Sequence, residues 1–234
     1  ELNKNCIVKF VNNKKERIMV ICWFSCGATS AVATKIILQK NKEVHIIYIN
    51  THSEHTDSMR FLHDCEKWFN HPIEIYSSPK FANHWDVIER ERFLNSPYGA
   101  RCTLELKKKV RWMIEENIKN WDAQMFGFDI SETKRAIRFK EQYPMAKACF
   151  PLIEAQLSKS DCLALLRKAN IELPMMYRLG YHNNNCVGCV KGGKGYWSKI
   201  KKDFPDVFDR MAKIERELNN SCIKGCFLDE LKPV

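Results

Sequence analysis

Two cysteines separated by two residues carry the clearest chemical signal in the sequence. Cys186 and Cys189 have the spacing with which iron–sulfur clusters and zinc sites take up two of their ligands. Asn- and Gly-rich stretches, 183–185 and 191–193, flank the pair and predict that it lies in a loop. Further thiols at Cys102, Cys222 or Cys226 would have to complete the site. An iron–sulfur cluster, a zinc site and a redox dithiol are all open interpretations of this pair.

A loop of small residues forms a second candidate site. Ser25, Gly27, Thr29 and Ser30 follow a predicted buried strand over 17–24 and precede a predicted helix. Exposed backbone N–H groups and a helix N-terminus suit a phosphate or sulfate group, with Gly27 allowing close approach and the hydroxyls binding it. Simple capping of the helix is the alternative.

A cluster of cations follows another predicted strand, over 124–128. Lys134, Arg135 and Arg138 come just beyond the strand's carboxyl end, where open α/β sheets bind ligands. Arg135 could bind a phosphate or sulfate in a bidentate manner. A solvated helix face would explain the same run.

Two basic stretches surround the candidate cysteine site, in a chain with a net charge of +10 and a pI near 9.0. Basic residues interleaved with aromatic rings can follow a nucleic-acid backbone and stack on bases, so nucleic acid is a candidate partner. Solvated helix surfaces are the alternative. The first stretch is Arg101, Lys107, Lys108, Lys109 and Arg111, and the second is Lys191, Lys194, Lys199, Lys201 and Lys202 around Tyr196 and Trp197.

The composition narrows the class of protein. With 234 residues, 45% hydrophobic and 28% charged, the chain can bury a sizeable core. The longest apolar run, 18–24, is far too short to cross a bilayer, and no signal peptide is recognisable, so we expect a cytoplasmic protein without a membrane partner. The eleven cysteines are then expected to remain thiols. Cys6, Cys22, Cys65, Cys149 and Cys162 are predicted to be buried thiols.

The elements that must position these residues alternate between strand and helix. This pattern predicts an α/β fold with a mostly parallel five-stranded sheet and flanking helices. The alternation stops near Pro151, so a nucleotide-binding domain over 1–150 and a cysteine-containing C-terminal extension over 151–234 are expected. The predicted strands are 17–24, 44–49, 73–76 and 124–128, and the predicted helices are 31–40, 54–69, 85–93, 104–120, 159–169 and 206–219.

The loop of small residues at 25–30 resembles the phosphate loop of the adenine nucleotide alpha-hydrolase-like (PP-loop) superfamily, whose pattern is Ser-Gly-Gly-x-Asp-Ser. Ser25, Gly27 and Ser30 match this pattern. Cys26 replaces a glycine and Thr29 replaces the acidic residue. These departures favour binding of an already activated nucleotide over cleavage of ATP.

Within that superfamily the chain resembles the phosphoadenylyl sulfate reductase family over about residues 17–190. The segment 127–135 is similar to the family's glycine, acidic–Ser/Thr and arginine pattern. The end of the second strand, 49–55, is also similar. Sequence motifs similar to those of the family's C-terminal part follow in the same order. They are Pro151-Leu152-Ile153, Ser160-Asp161, Leu173-Pro174, Tyr177, Gly180-Tyr181 and Cys186-Val187-Gly188-Cys189.

The resemblance implies a reductase-like enzyme that binds an adenosine sulfonucleotide and transfers or reduces its sulfur group. A [4Fe-4S] cluster would be held by Cys102, Cys186 and Cys189, with Cys222 or a non-protein ligand in the fourth position, because Arg101-Cys102 stands where the family has a Cys-Cys pair. Cys222 or Cys226 would be the nucleophile, although the family's Glu-Cys-Gly tail is missing. The nucleotide would be bound by Ser25, Gly27, Thr29, Ser30, Thr51, His55, Lys134 and Arg135.

Two other functions remain open. One is an ATP-dependent iron–sulfur sulfurtransferase that modifies tRNA or DNA, and the other is a non-catalytic nucleotide-binding protein. ATP is therefore an alternative nucleotide. A thioredoxin-like donor and a homo-oligomer are further expected partners. The histidines, His52, His55, His84 and His182, are not spaced as metal ligands and are interpreted mostly as surface or capping residues.

Overall fold

The computed structural model describes residues 18–41, 43–118 and 120–232. Cys6, which is predicted to be a buried thiol, and Arg17, the first residue of the first predicted strand, lie outside this part. None of the helices in the described part is both long and apolar enough to span a membrane.

A five-stranded sheet organises the fold in the order β3-β2-β1-β6-β7. Strand β1 pairs in parallel with both β2 and β6, and β7 pairs in parallel with β6, which confirms the predicted α/β class. A two-stranded antiparallel hairpin, β4-β5, was not predicted. The strands are β1 Met19–Phe24, β2 Glu43–Asn50, β3 Glu74–Ser77, β4 Asn95–Ser96, β5 Gly99–Ala100, β6 Ala123–Phe126 and β7 Ala148–Cys149.

Helices connect the strands at the expected places, with shifted boundaries. The helix predicted over 54–69 begins only at Asp57, so Glu54 stands in the preceding loop. The helices are α1 Ala28–Lys40, α2 Asp57–Phe69, α3 His84–Glu91, α4 Arg101–Thr103, α5 Lys109–Asn117, α6 Thr133–Gln142, α7 Pro151–Glu154, α8 Lys159–Lys168, α9 Met175–Arg178, α10 Lys194–Asp203 and α11 Pro205–Leu218.

The centre of the sheet is apolar because β1 is buried along most of its length. Ile21 and Cys22 are fully buried, and Phe24 packs against the rings of Phe61 and Phe69 on α2. Each such side chain removed from water contributes roughly 1.5–3 kcal/mol, which fixes the sheet against its helices. Among the predicted buried thiols, Cys22, Cys65 and Cys162 are buried, and Cys149 is partly exposed.

The contacts of the chain group it into two compact units that are each discontinuous in sequence. Unit 1 contains the described residues from Ile18 to Tyr48, with Asp57–Ile75 and Ile118–Pro174. Unit 2 contains Ile49–Thr56, Tyr76–Asn117 and the described residues from Met175. The division of the chain into domains at residue 150 stays a prediction.

Unit 2 has its own hydrophobic core. Trp197 and Ile200 on α10 pack in one cluster with Met211 on α11 and with Leu94 before the hairpin. The helix α10 was not predicted, because the Gly-rich sequence before it favours a loop. This core anchors the segments that carry Cys102, Cys186, Cys189 and Cys222.

Candidate functional site

The phosphate-like loop of unit 1 is organised around the hydroxyl of Ser30. This buried oxygen accepts hydrogen bonds from the backbone N–H of Ser25 at 3.1 Å and of Gly27 at 3.3 Å. It donates to the carbonyl oxygen of Gly27 at 2.9 Å, while the Ser25 hydroxyl donates to it at 3.1 Å. The first turn of α1 has no acidic residue, so the loop and the helix N-terminus present a field that favours an anion.

Two backbone features hold this loop in shape. Cys26 adopts a left-handed conformation, with φ of 53°, which a glycine would adopt at lower cost. Gly127, just beyond β6, lies so close to α1 that an added Cβ would stand 2.7 Å from the Ser30 Cα. The glycine that the superfamily pattern has in place of Cys26 is therefore explained by the local backbone.

The predicted cation cluster lies on α6, which the sequence analysis did not separate from a polar loop. Arg135 and Lys134 are exposed. The guanidinium of Arg135 forms an ion pair with Glu132 and lies 4.2 Å from the Phe128 ring centroid. Asp129 is buried and caps the short turn that leads into α6, because its carboxylate accepts a hydrogen bond from the Ser131 N–H at 2.8 Å. Arg135 is therefore accessible to an anion, which would compete with Glu132.

The Cys186–Cys189 loop of unit 2 is held by one tyrosine. The Tyr196 hydroxyl accepts hydrogen bonds from the N–H of Gly188 and of Cys189, both at 2.9 Å. It donates to the carbonyl oxygen of Cys186 at 2.8 Å. The ring of Tyr196 lies over Gly192, where an added Cβ would stand 2.0 Å from the ring carbon Cδ1.

Thr51 and Glu54 contact the same loop from the segment after β2. The Thr51 hydroxyl donates to Glu54 Oε2 at 2.6 Å and lies 3.7 Å from the Cys186 Sγ. The Cys186 Sγ is 3.9 Å from Glu54 Oε1, and the Val187 N–H donates to the Ser53 carbonyl at 2.8 Å. Thr51, predicted to bind nucleotide, is buried in this cluster, and its assignment to the nucleotide stays a prediction.

A cation completes the surroundings of Cys186. The Lys107 Nζ lies 3.4 Å from Glu54 Oε1. Burial on its own raises the pKa of Glu54, but the Lys107 charge and the Thr51 hydrogen bond bring it below its ordinary value. Burial, followed by the Glu54 charge, raises the pKa of Cys186 to about 12, and Lys107 opposes this shift. The sequence analysis treated Lys107 only as part of a basic surface.

Cys102 lies near the start of a helix that contains a widened turn. The short helix α4 passes into a π-helical turn, Leu104–Lys108, before α5. Inside this turn the buried Glu105 pairs with Arg101 at 2.9 Å and with Lys109 at 2.8 Å. Burial raises the pKa of the Cys102 thiol, and the charge of Cys189 adds to this shift. π-Turns of this kind are frequent at functional sites.

The C-terminal cysteines are packed rather than freely exposed. Cys222 belongs to the core of unit 2, and its N–H donates to the buried Glu215 at 2.6 Å. Burial and then the Glu215 charge raise the pKa of Cys222 well above its ordinary value, with smaller contributions from Cys189 and Cys102. The partly buried Cys226 Sγ–H donates to the Phe227 carbonyl at 3.5 Å. These surroundings disfavour Cys222 as a mobile nucleophile, the role the sequence analysis gave it.

The charge of Cys189 raises the pKa of three other thiols of unit 2, Cys102, Cys186 and Cys222, each mainly shifted by burial. Within the described ranges, no three Cys, His, Asp or Glu side chains are already arranged to hold a metal ion. The donor chemistry nevertheless fits an iron–sulfur cluster, because thiolates are its usual ligands and a cation would relieve the mutual repulsion of these thiolates.

One histidine in this region was misjudged from the sequence. His84, predicted to be a surface or capping residue, is 3% exposed, and neither ring nitrogen has a hydrogen-bond partner among the described residues. Burial lowers its pKa to about 4. Asn83, not His84, caps α3. His55, predicted to line the nucleotide site, packs its ring 6.1 Å from the ring of Phe204.

Comparison with a solved structure shows the same fold. A phosphoadenylyl-sulfate reductase from Candida auris, in a phosphate complex, superposes with a TM-score of 0.52 at 12% identity, covering 73% of this chain and 81% of that one. The U34-tRNA thiolase NcsA from Methanococcus maripaludis, solved with its [4Fe-4S] cluster, gives a TM-score of 0.49 at 16% identity, covering 88% and 74%.

Sequence comparison covers the same region. An uncharacterized protein of Methanocaldococcus jannaschii is 23% identical over 221 residues, which are 90% of this chain. The chain spans only 44% of the length of that relative. The family model of the phosphoadenosine phosphosulfate reductase domain matches residues 19–192, from the start of β1 to just beyond the Cys186–Cys189 loop. The chain therefore belongs to the phosphoadenosine phosphosulfate reductase domain family, within the PP-loop superfamily.

Proposed function

We propose that the chain is a sulfur-handling enzyme that binds an adenosine sulfonucleotide and reduces or transfers its sulfur group. The observation that carries this proposal is the extent of the family match over 19–192. It includes both the anion-binding loop of unit 1 and the cysteine pair of unit 2. A nucleotide-binding protein without catalytic activity would need only the loop of unit 1 and not the cysteine pair.

Unit 1 is assigned the anionic part of the substrate. The N-terminus of α1 and the Thr29 hydroxyl would bind a phosphate or sulfate, and the buried Ser30 hydroxyl, which accepts from the Ser25 and Gly27 N–H groups, would hold the loop in shape for it. Arg135, exposed on α6, would exchange its ion pair with Glu132 for a second anionic group. Lys134, also exposed, adds positive charge beside it.

Unit 2 is assigned the sulfur chemistry. Cys102, Cys186 and Cys189 would hold a [4Fe-4S] cluster, and Cys222, whose charge interacts with two of them, is the candidate for the fourth ligand. With Cys222 as the fourth ligand such a cluster would supply electron transfer, and with a non-protein ligand in that position its open iron could bind a sulfur species. The Lys107 ammonium, close to Cys186 and Cys189, would stabilise the negative charge of the thiolates.

The proposed reaction is attack of a thiolate on the sulfonyl sulfur. A sulfur–sulfur bond forms, the bond from sulfur to the phosphate oxygen breaks, and the adenosine phosphate leaves with the electron pair. A thiolate of a thioredoxin-like donor then attacks the enzyme's cysteine sulfur, the new sulfur–sulfur bond breaks and sulfite leaves with its electron pair. The mixed disulfide that forms is reduced by the donor's second thiol, which leaves the donor oxidised and the enzyme thiol restored. Among the tail thiols, Cys226 is the better candidate nucleophile, because Cys222 is buried in the core.

The test is an assay on protein purified without oxygen. Adenosine phosphosulfate and its 3′-phosphorylated form would be supplied with a dithiol reductant, and sulfite and nucleotide products measured. We expect sulfite release that is lost in Ser30→Ala and in Cys226→Ser and kept in Cys149→Ser. Tight binding of both nucleotides with no product would contradict the proposal and leave a binding protein.

An ATP-dependent sulfurtransferase acting on tRNA or DNA is a second candidate. The packing of both C-terminal thiols favours it, since Cys222 is buried and the partly buried Cys226 Sγ–H donates to the Phe227 carbonyl, whereas a reductase of this kind needs an accessible thiol. This candidate predicts release of AMP and pyrophosphate from ATP only when nucleic acid is present, with sulfur incorporated into that nucleic acid. Sulfite release from a sulfonucleotide without nucleic acid would exclude it as the main activity.

A further inference from the structure

Unit 2 contains a pocket that the proposed function does not yet use. It has a volume of about 380 Å³ and is lined by residues of 180–199. Pockets of this size are large enough for a small-molecule ligand. The Cys189 side of the cysteine loop forms part of its wall, so a ligand bound there would lie beside the candidate sulfur chemistry.

The lining of the pocket is basic and open. Lys191 is exposed and has no acidic partner among the described residues, whereas Lys199 pairs with Asp203 at 3.2 Å. Four glycines contribute backbone rather than side chains, and at Gly193 and Gly195 nothing lies within 4 Å of an added Cβ. A ligand can therefore approach the main-chain groups closely, with a lysine available to neutralise its charge.

Aromatic and amide groups supply the rest of the lining. The ring of Tyr196 packs edge to face on the buried ring of Tyr181, with the centroids 5.7 Å apart, and Asn183 and Asn185 add hydrogen-bonding side chains. Lysine beside aromatic rings is the combination that binds a phosphate together with a base, since rings stack on bases of any sequence. A simple inorganic anion would leave most of the pocket empty.

We propose that this pocket is a second nucleotide site, in which a nucleoside phosphate places its phosphate at Lys191 and its base against Tyr196, beside Cys189. The proposal rests on the second candidate function for its role, because a sulfurtransferase needs a binding site for the nucleotide that it modifies. The nucleoside phosphate could come from a free nucleotide or from one residue of a nucleic-acid chain.

The test is equilibrium binding to the full chain with two probes, uridine monophosphate and a labelled single-stranded RNA of about ten nucleotides. Lys191→Ala should weaken binding of the accepted probe about tenfold, the value of one charge-assisted hydrogen bond. Lys213→Ala, which removes an exposed lysine of α11 outside the pocket, is the matched control and should change the affinity less than twofold. Photo-crosslinking with 4-thiouridine monophosphate should label Tyr196.

Each outcome decides the proposal. RNA binding that depends on Lys191 without binding of the mononucleotide supports a nucleic-acid source, and Lys191-dependent binding of both supports a free nucleotide. Equal losses in Lys191→Ala and Lys213→Ala would show a general basic surface and overturn the proposal, as would no binding of either probe or crosslinks outside 180–199.

A control separates this inference from the proposed function. Ser30→Ala in the loop of unit 1 should weaken binding of adenosine phosphosulfate and leave binding of the uridine probe unchanged. If the uridine probe responds to Ser30→Ala but not to Lys191→Ala, the second site is excluded while the sulfonucleotide site remains. If sulfite is never released but Lys191-dependent binding persists, the pocket stands and the reductase assignment fails.

Discussion

The Tyr196 hydroxyl accepts a hydrogen bond of 2.9 Å from the backbone N–H of Cys189. The same hydroxyl also accepts from the N–H of Gly188 and donates to the carbonyl oxygen of Cys186, so one side chain fixes the main chain of the whole Cys-x-x-Cys loop. The direction of the two thiols therefore depends on a residue outside the motif.

Tyr196→Phe should loosen this loop. The change leaves two N–H groups without an acceptor, at a cost of about 1–3 kcal/mol in the free energy of unfolding. We expect a lower urea midpoint and reduced iron content after anaerobic purification. The control is Tyr98→Phe, at a fully exposed residue of the hairpin, which should leave both values unchanged. Full iron content and parental stability in Tyr196→Phe would show that the hydroxyl is dispensable.

Gly192→Ala should disturb the same loop by displacing the ring of Tyr196. Its Cβ would stand 2.0 Å from the Tyr196 ring, so the ring must move, at a cost of about 1–3 kcal/mol. Gly193→Ala is a matched control because nothing lies within 4 Å of its added Cβ. Thermal unfolding of both variants gives the comparison, and equal Tm values would mean that the ring is not packed against Gly192.

Single Cys→Ser changes should identify the cluster ligands. Cys102→Ser, Cys186→Ser and Cys189→Ser are each expected to lower iron and acid-labile sulfide well below the parent, for which we expect about four irons per chain. Cys149→Ser, in a partly exposed strand residue of unit 1, should keep the parental content. Cys222→Ser decides the fourth ligand, since retention of all iron there would assign that position to a non-protein group.

Acid should reveal the pairing of Glu54 with Lys107. A carboxylate whose pKa is lowered in the folded state stabilises the protein above its ordinary value of 4.5, and this stabilisation is lost as the pH falls through the lower folded value. Lys107→Met should therefore reduce stability most near neutral pH, and the difference from the parent should shrink below about pH 4.5. Urea midpoints across this range provide the measurement. Lys108→Met, at an exposed neighbouring lysine, should show no such pH dependence.

Gly127→Ala should destabilise unit 1 through its backbone contact. The added Cβ would approach the Ser30 Cα to 2.7 Å, and main chain cannot rotate away as a side chain can. We expect a loss of about 1–3 kcal/mol and weaker nucleotide binding. Thermal unfolding with and without adenosine phosphosulfate checks both, and unchanged values would mean that the strand end and the helix can separate at no cost.

Local signals in the sequence were enough to predict the α/β class and four of the five strands of the main sheet, and they indicated the two loops that are proposed as sites. The β-branched and aromatic run of β1 and the small residues after it are contiguous, so strand, loop and helix could be read directly. The pair Cys186 and Cys189 is likewise contiguous. The helix α6 was harder to recognise, because most of its outward positions are charged and only Ala136 is buried.

Long-range pairings could not be read in this way. Glu54 and Lys107 are separated by 53 positions, and no local pattern indicates that their side chains meet beside Cys186. Tyr196 was interpreted as an aromatic residue in a basic surface, because its hydroxyl bonds are made to backbone groups that carry no sequence signature. Gly192, four residues earlier, was the available signal, since a ring that packs on main chain needs a residue without Cβ.

The π-turn at Leu104–Lys108 affects how the sequence of this helix can change during evolution. A π-turn accommodates one extra residue within a helix, so residues before it are rotated by about 100° relative to those of an uninterrupted α-helix. Insertion or deletion of a single residue here would redirect Cys102 while the buried face of α5, with Val110 and Ile114, kept its register. The orientation of one cysteine can therefore diverge among homologues independently of the packing that supports it.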